Sequence, residues 1–267
     1  MLLFLQKFSV VACVFICLSC QTETHKQNKQ VPLVKVLFLG NSYTYYHRMP
    51  EMFTQLAQHN KKNVAVQSVA SGGRRLQDHS RNRRVKKMIQ EQNFNWVILQ
   101  EQSIVPFVQT TQMYEAVRTI DTWAKQHKTQ SMLFLFWARK YTHDMGIRLE
   151  GVPYYQRFRS FTEAQNSLVH THKKIADELG APIAPVGVVW QQLHYRLPQL
   201  HLWQADGSHP TKVGAYITAL VFYASIFQEL PMSHLHSCPL KPAEQQLIAD
   251  IIKANVLDRK EYWNSSR

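Results

Sequence analysis

Five short apolar runs, separated by stretches with helical periodicity, constrain this chain more than any other feature. They are Val34 to Leu39 (VKVLFL), Val64 to Val69, Trp96 to Leu99 (WVIL), Met132 to Trp137 (MLFLFW) and Ile183 to Val189. Each is compact and rich in β-branched, leucine or aromatic residues, the pattern of a strand covered on both faces. Helices are expected over Met49 to His59, Arg84 to Gln92, Met113 to His127, and Phe158 to Leu179 before Gly180. Two more, Lys212 to Glu229 and Ala243 to Asn255, close the chain. Strands that alternate with helices pair in parallel, which predicts an α/β fold with helices on both faces of the sheet. Pro185 interrupts the fifth run, so that strand is expected at an edge or as an irregular piece. In open sheets of this kind the chemistry sits in loops at the carboxyl ends of the strands.

The chain of 267 residues suffices for one domain. Hydrophobic residues make up 45% of it and charged residues 18%, which describes a globular protein. Cys13, Cys17 and Cys20 crowd the N-terminus and leave Cys238 alone in the body, which excludes a disulfide framework there. Lys7 precedes an apolar run, Phe8 to Leu18, with the length of a signal-peptide core, too short for a comfortable membrane span. The expected organisation is a signal peptide over 1–19, a polar tether over 20–33, one folded domain over 34–257 and a C-terminal tail over 258–267. Leu18-Ser19-Cys20 followed by a polar stretch resembles a bacterial lipoprotein signal, although Cys17 and Leu18 depart from its usual residues. That resemblance implies lipidation of Cys20 and attachment to a membrane of the cell envelope; plain secretion and an uncleaved anchor are the alternatives. The apolar stretch Val213 to Phe227 is too short to span a bilayer and reads as a buried core helix.

A formal net charge of +13 predicts attraction to something anionic: nucleic acid, a membrane surface or an acidic polymer. An export signal argues against nucleic acid. The basic run Arg81-Asn82-Arg83-Arg84 with Lys86-Lys87 reads first as a solvated helix face. His170-Thr171-His172 and His234-Leu235-His236 invite a metal reading. Residues two apart on a helix do not share a face, and no carboxylate or cysteine set accompanies them. They read as surface histidines, and neither metal nor cofactor is expected.

Two loops carry the chemistry. Gly40-Asn41-Ser42-Tyr43-Thr44 follows the first strand, and a serine there stands at the sheet's carboxyl edge beside backbone amides. The competing role for Ser42 is that of a helix N-cap. In Asp206-Gly207-Ser208-His209-Pro210, a carboxylate three residues before a histidine can fix the imidazole tautomer and leave its other nitrogen as a base. A capping Asp with a surface His is the competing reading. Together the loops give the order Ser, Asp, His on a parallel sheet.

At this point GNSYT, SGGRRL, WVILQEQS and DGSHPT, in that order, resemble the four sequence blocks of the SGNH/GDSL hydrolases over Lys35 to Leu230. The resemblance implies a three-layer α/β/α flavodoxin-like sandwich with a mostly parallel five-stranded sheet, and hydrolysis of acyl esters without a metal. Ser42 matches the family's nucleophile, Asp206 and His209 its Asp-x-x-His pair. Its oxyanion hole implies the Ser42 amide, the amide of Gly73 or else Gly72, and a side-chain amide in the third block. There the usual Gly-x-Asn-Asp is replaced by Gln100-Glu101-Gln102-Ser103, as in a subgroup with a Leu-Gln-Glu-Gln-Ser block. Gln102 falls at the Asn position, with Gln100 as the second choice. Arg74, Arg75 and His79 are candidates for the rim of the substrate cleft. The expected function is a serine esterase of the cell envelope, foremost a carbohydrate O-deacetylase, with a glycan or small-molecule ester as partner. A lipid esterase or thioesterase, and a non-catalytic protein binding an anionic glycan, are the alternatives.

Overall fold

The computed structural model describes residues 31–141, 147–148, 155–233 and 240–264. The expected signal peptide, Cys20 and most of the tether, Cys238 and the His234-Leu235-His236 segment lie outside the described residues.

Five parallel strands form one sheet in the order β2-β1-β3-β4-β7. β1 is Val34–Gly40, β2 Val64–Ala70, β3 Trp96–Leu99, β4 Gln130–Phe134 and β7 Ile183–Ala184. Two-residue strands β5 (Ile147–Arg148) and β6 (Tyr155–Gln156) make a separate antiparallel pair. β1 lies between β2 and β3, paired from Val34 opposite Val64 to Gly40 opposite Ala70. Val36, Leu37, Phe38 and Leu39 are all fully buried, as the apolar run requires of a strand covered on both sides.

Helices occupy both faces. The first elements after β1 are the short α1 (Ser42–Tyr45) and α2 (Met49–His59), then α3 (Leu76–Ser80) and α4 (Arg83–Glu91). α5 (Val105–Val108), α6 (Thr110–Gln126), α7 (Phe161–Leu179) and α8 (Val186–Arg196) follow. α9 (Lys212–Phe227), α10 (Pro242–Ile252) and α11 (Lys260–Trp263) complete the chain. On one side α2 packs against α9; on the other, α6 packs against α4 and α7. The apolar stretch 213–227 is indeed a core helix, buried over nearly its whole length. Among the described residues, no helix is long and apolar enough to cross a membrane.

Three expectations are corrected. The fifth run is not a strand over Ile183 to Val189: pairing stops at Ala184, and Pro185 leads into α8. Val186, Val189, Trp190 and Leu193 are buried at helical spacing, so Val186 to Val189 is the first turn of a core-facing helix. Residues 258–264 are no free tail. A π-helical turn over Lys253–Leu257 leads into α11, where Trp263 is buried and donates to Asn255 O at 2.6 Å. His172, read as a surface residue, is in the core. Its Nδ1 donates to Leu168 O at 2.8 Å, and burial holds its pKa down at about 4.

Candidate active site

The turn after β1 is built by residues on either side of Ser42. Asn41, not Ser42, caps α1: its Oδ1 accepts from Tyr43 N at 3.2 Å, and its Nδ2 donates to Arg74 O at 2.9 Å. The Ser42 hydroxyl is thereby released from the capping role. Gln100, at the end of β3, receives Asn41 N at 2.8 Å and Thr44 Oγ1 at 2.9 Å on its Oε1. The Thr44 hydroxyl and Gln100 Oε1 come so close to Gly40 that a side chain there would collide with them, so glycine is required at that position. His79 supports the same turn from within, donating from Nε2 to Gly40 O at 3.0 Å.

The second loop brings its residues to Ser42 across 167 positions of sequence. His209 Nε2 stands 2.9 Å from Ser42 Oγ, and His209 Nδ1 stands 2.5 Å from Asp206 Oδ2. A carboxylate on Nδ1 places the proton there and leaves Nε2 to accept from the serine hydroxyl. Asp206 Oδ1 also takes Ser208 N at 2.9 Å and His209 N at 3.0 Å, closing a turn in which Gly207 adopts a left-handed conformation. Partial burial would raise the Asp206 pKa, but the hydrogen bonds from His209 and Ser208 outweigh it and hold the carboxyl below its ordinary range. Trp137 Nε1 donates to Ser208 O at 2.9 Å, and the Trp137 ring stacks between Trp190 and Tyr43. The Tyr43 hydroxyl meets Ser208 Oγ at 2.8 Å. A buried aromatic column thus fixes the loop that carries Asp206 and His209.

Ser42 and His209 open onto a cleft of about 200 Å3, lined also by Asn41, Gly73, Gln102, Ser103 and Arg139. Gly73 has a positive φ, a conformation open to glycine. Gln102 Oε1 accepts from Ile104 N at 2.8 Å and Val105 N at 3.3 Å, capping α5. Its amide nitrogen has no hydrogen bond among the described residues. Of the second choices, Gln100 is unsuited to face a substrate: it is fully buried, with Oε1 spent on the turn and Nε2 donating to Glu101 O. Gly72 does not line the cleft.

The rim candidates do not line it either. His79 is wholly buried, and burial lowers its pKa, so it serves as a neutral structural donor. Arg75 turns its guanidinium to Gln109 Oε1 at 3.0 Å, and Arg74 offers its carbonyl to Asn41. The basic run lies on the outer face of α4, where Arg83, Arg84, Lys86 and Lys87 are exposed. Two residues escaped sequence reasoning. Arg139 lines the cleft, with Nη2 2.9 Å from Ser103 Oγ. Its only signal was its place just beyond the fourth apolar run, at the sheet edge where sites gather. Tyr46 stacks on the His209 imidazole.

Glu101 joins the two loops flanking the cleft. Its buried Oε1 accepts from Leu76 N at 3.1 Å and Gln102 N at 2.6 Å. Burial raises its pKa to about 7, against the pull of those two amides and of Arg75. A larger cavity of about 520 Å3 lies at the opposite edge of the sheet, beside Trp96, Gln130 and Pro182. Among the described residues no histidine lines it, so it offers a serine no comparable base.

No protein-family model and no curated protein matches the sequence. Solved structures do share the fold. A DUF4886 family protein from Bacteroides uniformis superimposes with a TM-score of 0.68 at 17% identity, over 85% of this chain and 95% of its own. A candidate SGNH hydrolase from Slackia heliotrinireducens does so with a TM-score of 0.58 at 23% identity, over 73% of this chain and 100% of its own. A variant of Axe2, an acetyl-xylooligosaccharide esterase from Geobacillus stearothermophilus, gives 0.54 at 18% identity, over 75% of this chain and 97% of its own. The parallel sheet with helices on both sides is therefore the fold of SGNH hydrolases.

Proposed function

We propose that the protein is a serine esterase of the cell envelope that removes short acyl groups, foremost acetyl, from carbohydrate. The observation that carries this reading is the run of hydrogen bonds from Ser42 through His209 to Asp206 at the mouth of a cleft. Ser42 Oγ attacks the ester carbonyl while His209 Nε2 takes its proton, and Asp206 stabilises the imidazolium. The alcohol leaves with that proton. Water, deprotonated by His209, then attacks the acyl-enzyme carbonyl, and the acid departs as Ser42 regains its proton.

The oxyanion is assigned to the amides of Ser42 and Gly73 and the side chain of Gln102. Ser42 opens α1, so its N–H has no partner inside that helix. Gly73 and Gln102 line the same cleft, and the Gln102 amide nitrogen is available to donate. At about 200 Å3 the cleft falls below the usual range for drug-sized ligands and favours a small acyl group. The carbohydrate alcohol is supported by the fold shared with an acetyl-xylooligosaccharide esterase and by the export signal.

Labelling with a fluorophosphonate tests the reading, because only an activated serine reacts. Wild-type protein is expected to label, Ser42→Ala is not, and acetylated xylo-oligosaccharides are expected to release acetate. Loss of a nucleophile costs several orders of magnitude in turnover. A folded wild-type chain that stays unlabelled and inactive on short esters leaves the non-catalytic reading in its place.

A further inference from the structure

We propose that Tyr46 is a positioning residue for His209: its ring holds the imidazole in line with Ser42 and stabilises the cation that the imidazole becomes. The inference deepens the esterase reading and rests on it. The two rings lie 4.3 Å apart between centroids and 15° from parallel. Tyr43 meets the imidazole only edge-on, at 6.0 Å and 76°.

The hydrogen bonds to Ser42 and Asp206 run through opposite nitrogens, so they leave the ring free to rock about the line joining them. A face-to-face contact stops that rocking. The contact also differs between the two charge states of the base. When Nε2 takes the serine proton, a cation lies against the electron-rich face of a phenol ring, an attraction that the neutral imidazole gains only weakly. An interaction stronger in the transition state than in the ground state raises turnover rather than substrate affinity. Tyr46 does not line the cleft, which fits that assignment.

The backbone is arranged to present this ring. Tyr46 stands four residues after Ser42, across one helical turn from it. Directly after it, His47 and Arg48 both have positive φ in the left-handed region. That conformation is unfavourable for side chains of their size. Gln204 ties this turn to the loop carrying His209. Its Nε2 lies 3.3 Å from His47 Nε2 and 2.9 Å from Pro210 O, and its backbone N–H donates to His209 O at 2.8 Å. The turn bearing the tyrosine and the loop bearing the histidine are thus coupled at a second point besides the stack.

The test compares Tyr46→Leu, Tyr46→Met and Tyr46→Phe in the full chain. Kinetics on p-nitrophenyl acetate and rates of fluorophosphonate labelling are the readouts. Tyr46→Leu is expected to lower kcat about 3- to 30-fold with KM within about twofold, and to slow labelling in the same ratio. Tyr46→Phe, which keeps the ring, stays within about twofold of wild type. Tyr46→Met fills similar space without a ring, and takes the place of Tyr46→Leu should that variant fail to fold. In a His209→Ala background, Tyr46→Leu causes no further loss, because it acts only through the base. An equal fold-loss in that background, or undiminished labelling of both ring-free variants, overturns the inference alone. A wild-type chain that neither labels nor hydrolyses overturns the esterase reading, and this inference with it.

Discussion

Gln100 Oε1 accepts the backbone N–H of Asn41 at 2.8 Å, so the end of β3 sets the turn that carries Ser42 on β1. The same oxygen receives the Thr44 hydroxyl, and all three residues are buried. The third sequence block therefore reaches the candidate site twice: Gln100 holds the backbone of the turn that carries Ser42, and Gln102 lines the cleft.

Replacing Gln100 by leucine removes the acceptor from two buried donors and the donor from Glu101 O. A buried group left unsatisfied costs about 1–3 kcal/mol, so Gln100→Leu is expected to lose at least about 2 kcal/mol of stability. Activity falls with it as the turn shifts. Urea denaturation of the variant measures the loss; a change under about 0.5 kcal/mol would show that the turn is held by other means.

Gln102 separates capping from catalysis. Gln102→Ala removes both the α5 cap and the donor, costing about 1 kcal/mol of stability and about 100- to 1,000-fold in kcat. Gln102→Glu keeps an oxygen for Ile104 N and Val105 N but has no amide to donate when ionised. It is expected to retain wild-type stability while losing turnover, with KM little changed. Near-normal kcat in Gln102→Glu would remove the side chain from the oxyanion assignment.

The sheet was legible because strands apolar on both faces leave uninterrupted runs: three of the five runs fell wholly on strands of the sheet, and the fourth fell on β4 from Met132 to Phe134. The fifth misled because Val186, Val188 and Val189 are β-branched. Its continuation through Trp190 and Leu193 at helical spacing carried the opposite signal, and packing against the core followed that spacing. Ser42, Asp206 and His209 were singled out by their loops, and the structure brings the three into one run of hydrogen bonds. Tyr46 was not, since its stack on His209 joins two loops far apart in the chain and nothing in its local sequence signals it. His79 and Arg75 likewise spend their side chains on other partners. Polar residues in a loop at the sheet edge look available to a ligand, yet one is buried beneath Gly40 and the other is turned toward Gln109. Sequence alone does not reveal which way such a loop folds back.

Attachment to the membrane is expected to depend on one thiol. The apolar run ending in Leu18-Ser19-Cys20 and the polar stretch after it motivate lipidation of Cys20. Mass spectrometry of the mature chain is expected to find a diacylated or triacylated cysteine at its N-terminus. Cys20→Ala should release the protein from membranes. An unmodified N-terminus at any other residue removes the lipid anchor and leaves plain secretion.

Stability is expected to fall as pH rises through the range in which Glu101 ionises, and Glu101→Gln to suppress that fall. The carboxyl is almost wholly buried, and its Oε2 has no hydrogen bond among the described residues. Burial lifts its pKa from an ordinary 4.5 to about 7, while the amides of Gln102 and Leu76 and the Arg75 charge pull the other way and Asp78 adds to the rise. Between those values the folded protein keeps a proton that the unfolded chain has released, so raising the pH favours unfolding. Below about pH 4.5 both states are protonated and the group costs nothing. Above about pH 7 both are ionised, and the full penalty, about 3 kcal/mol, is present. Glutamine keeps an oxygen for Leu76 N and Gln102 N and never ionises. The stability of Glu101→Gln relative to wild type should therefore rise from about pH 5 to about pH 8, by up to about 3 kcal/mol, when both are unfolded in urea. Taking the difference between the two proteins cancels the contribution of every other titrating group they share. A difference that is flat across this range would mean that Glu101 is already ionised at its acidic end, held so by Arg75 and the two amides despite its burial.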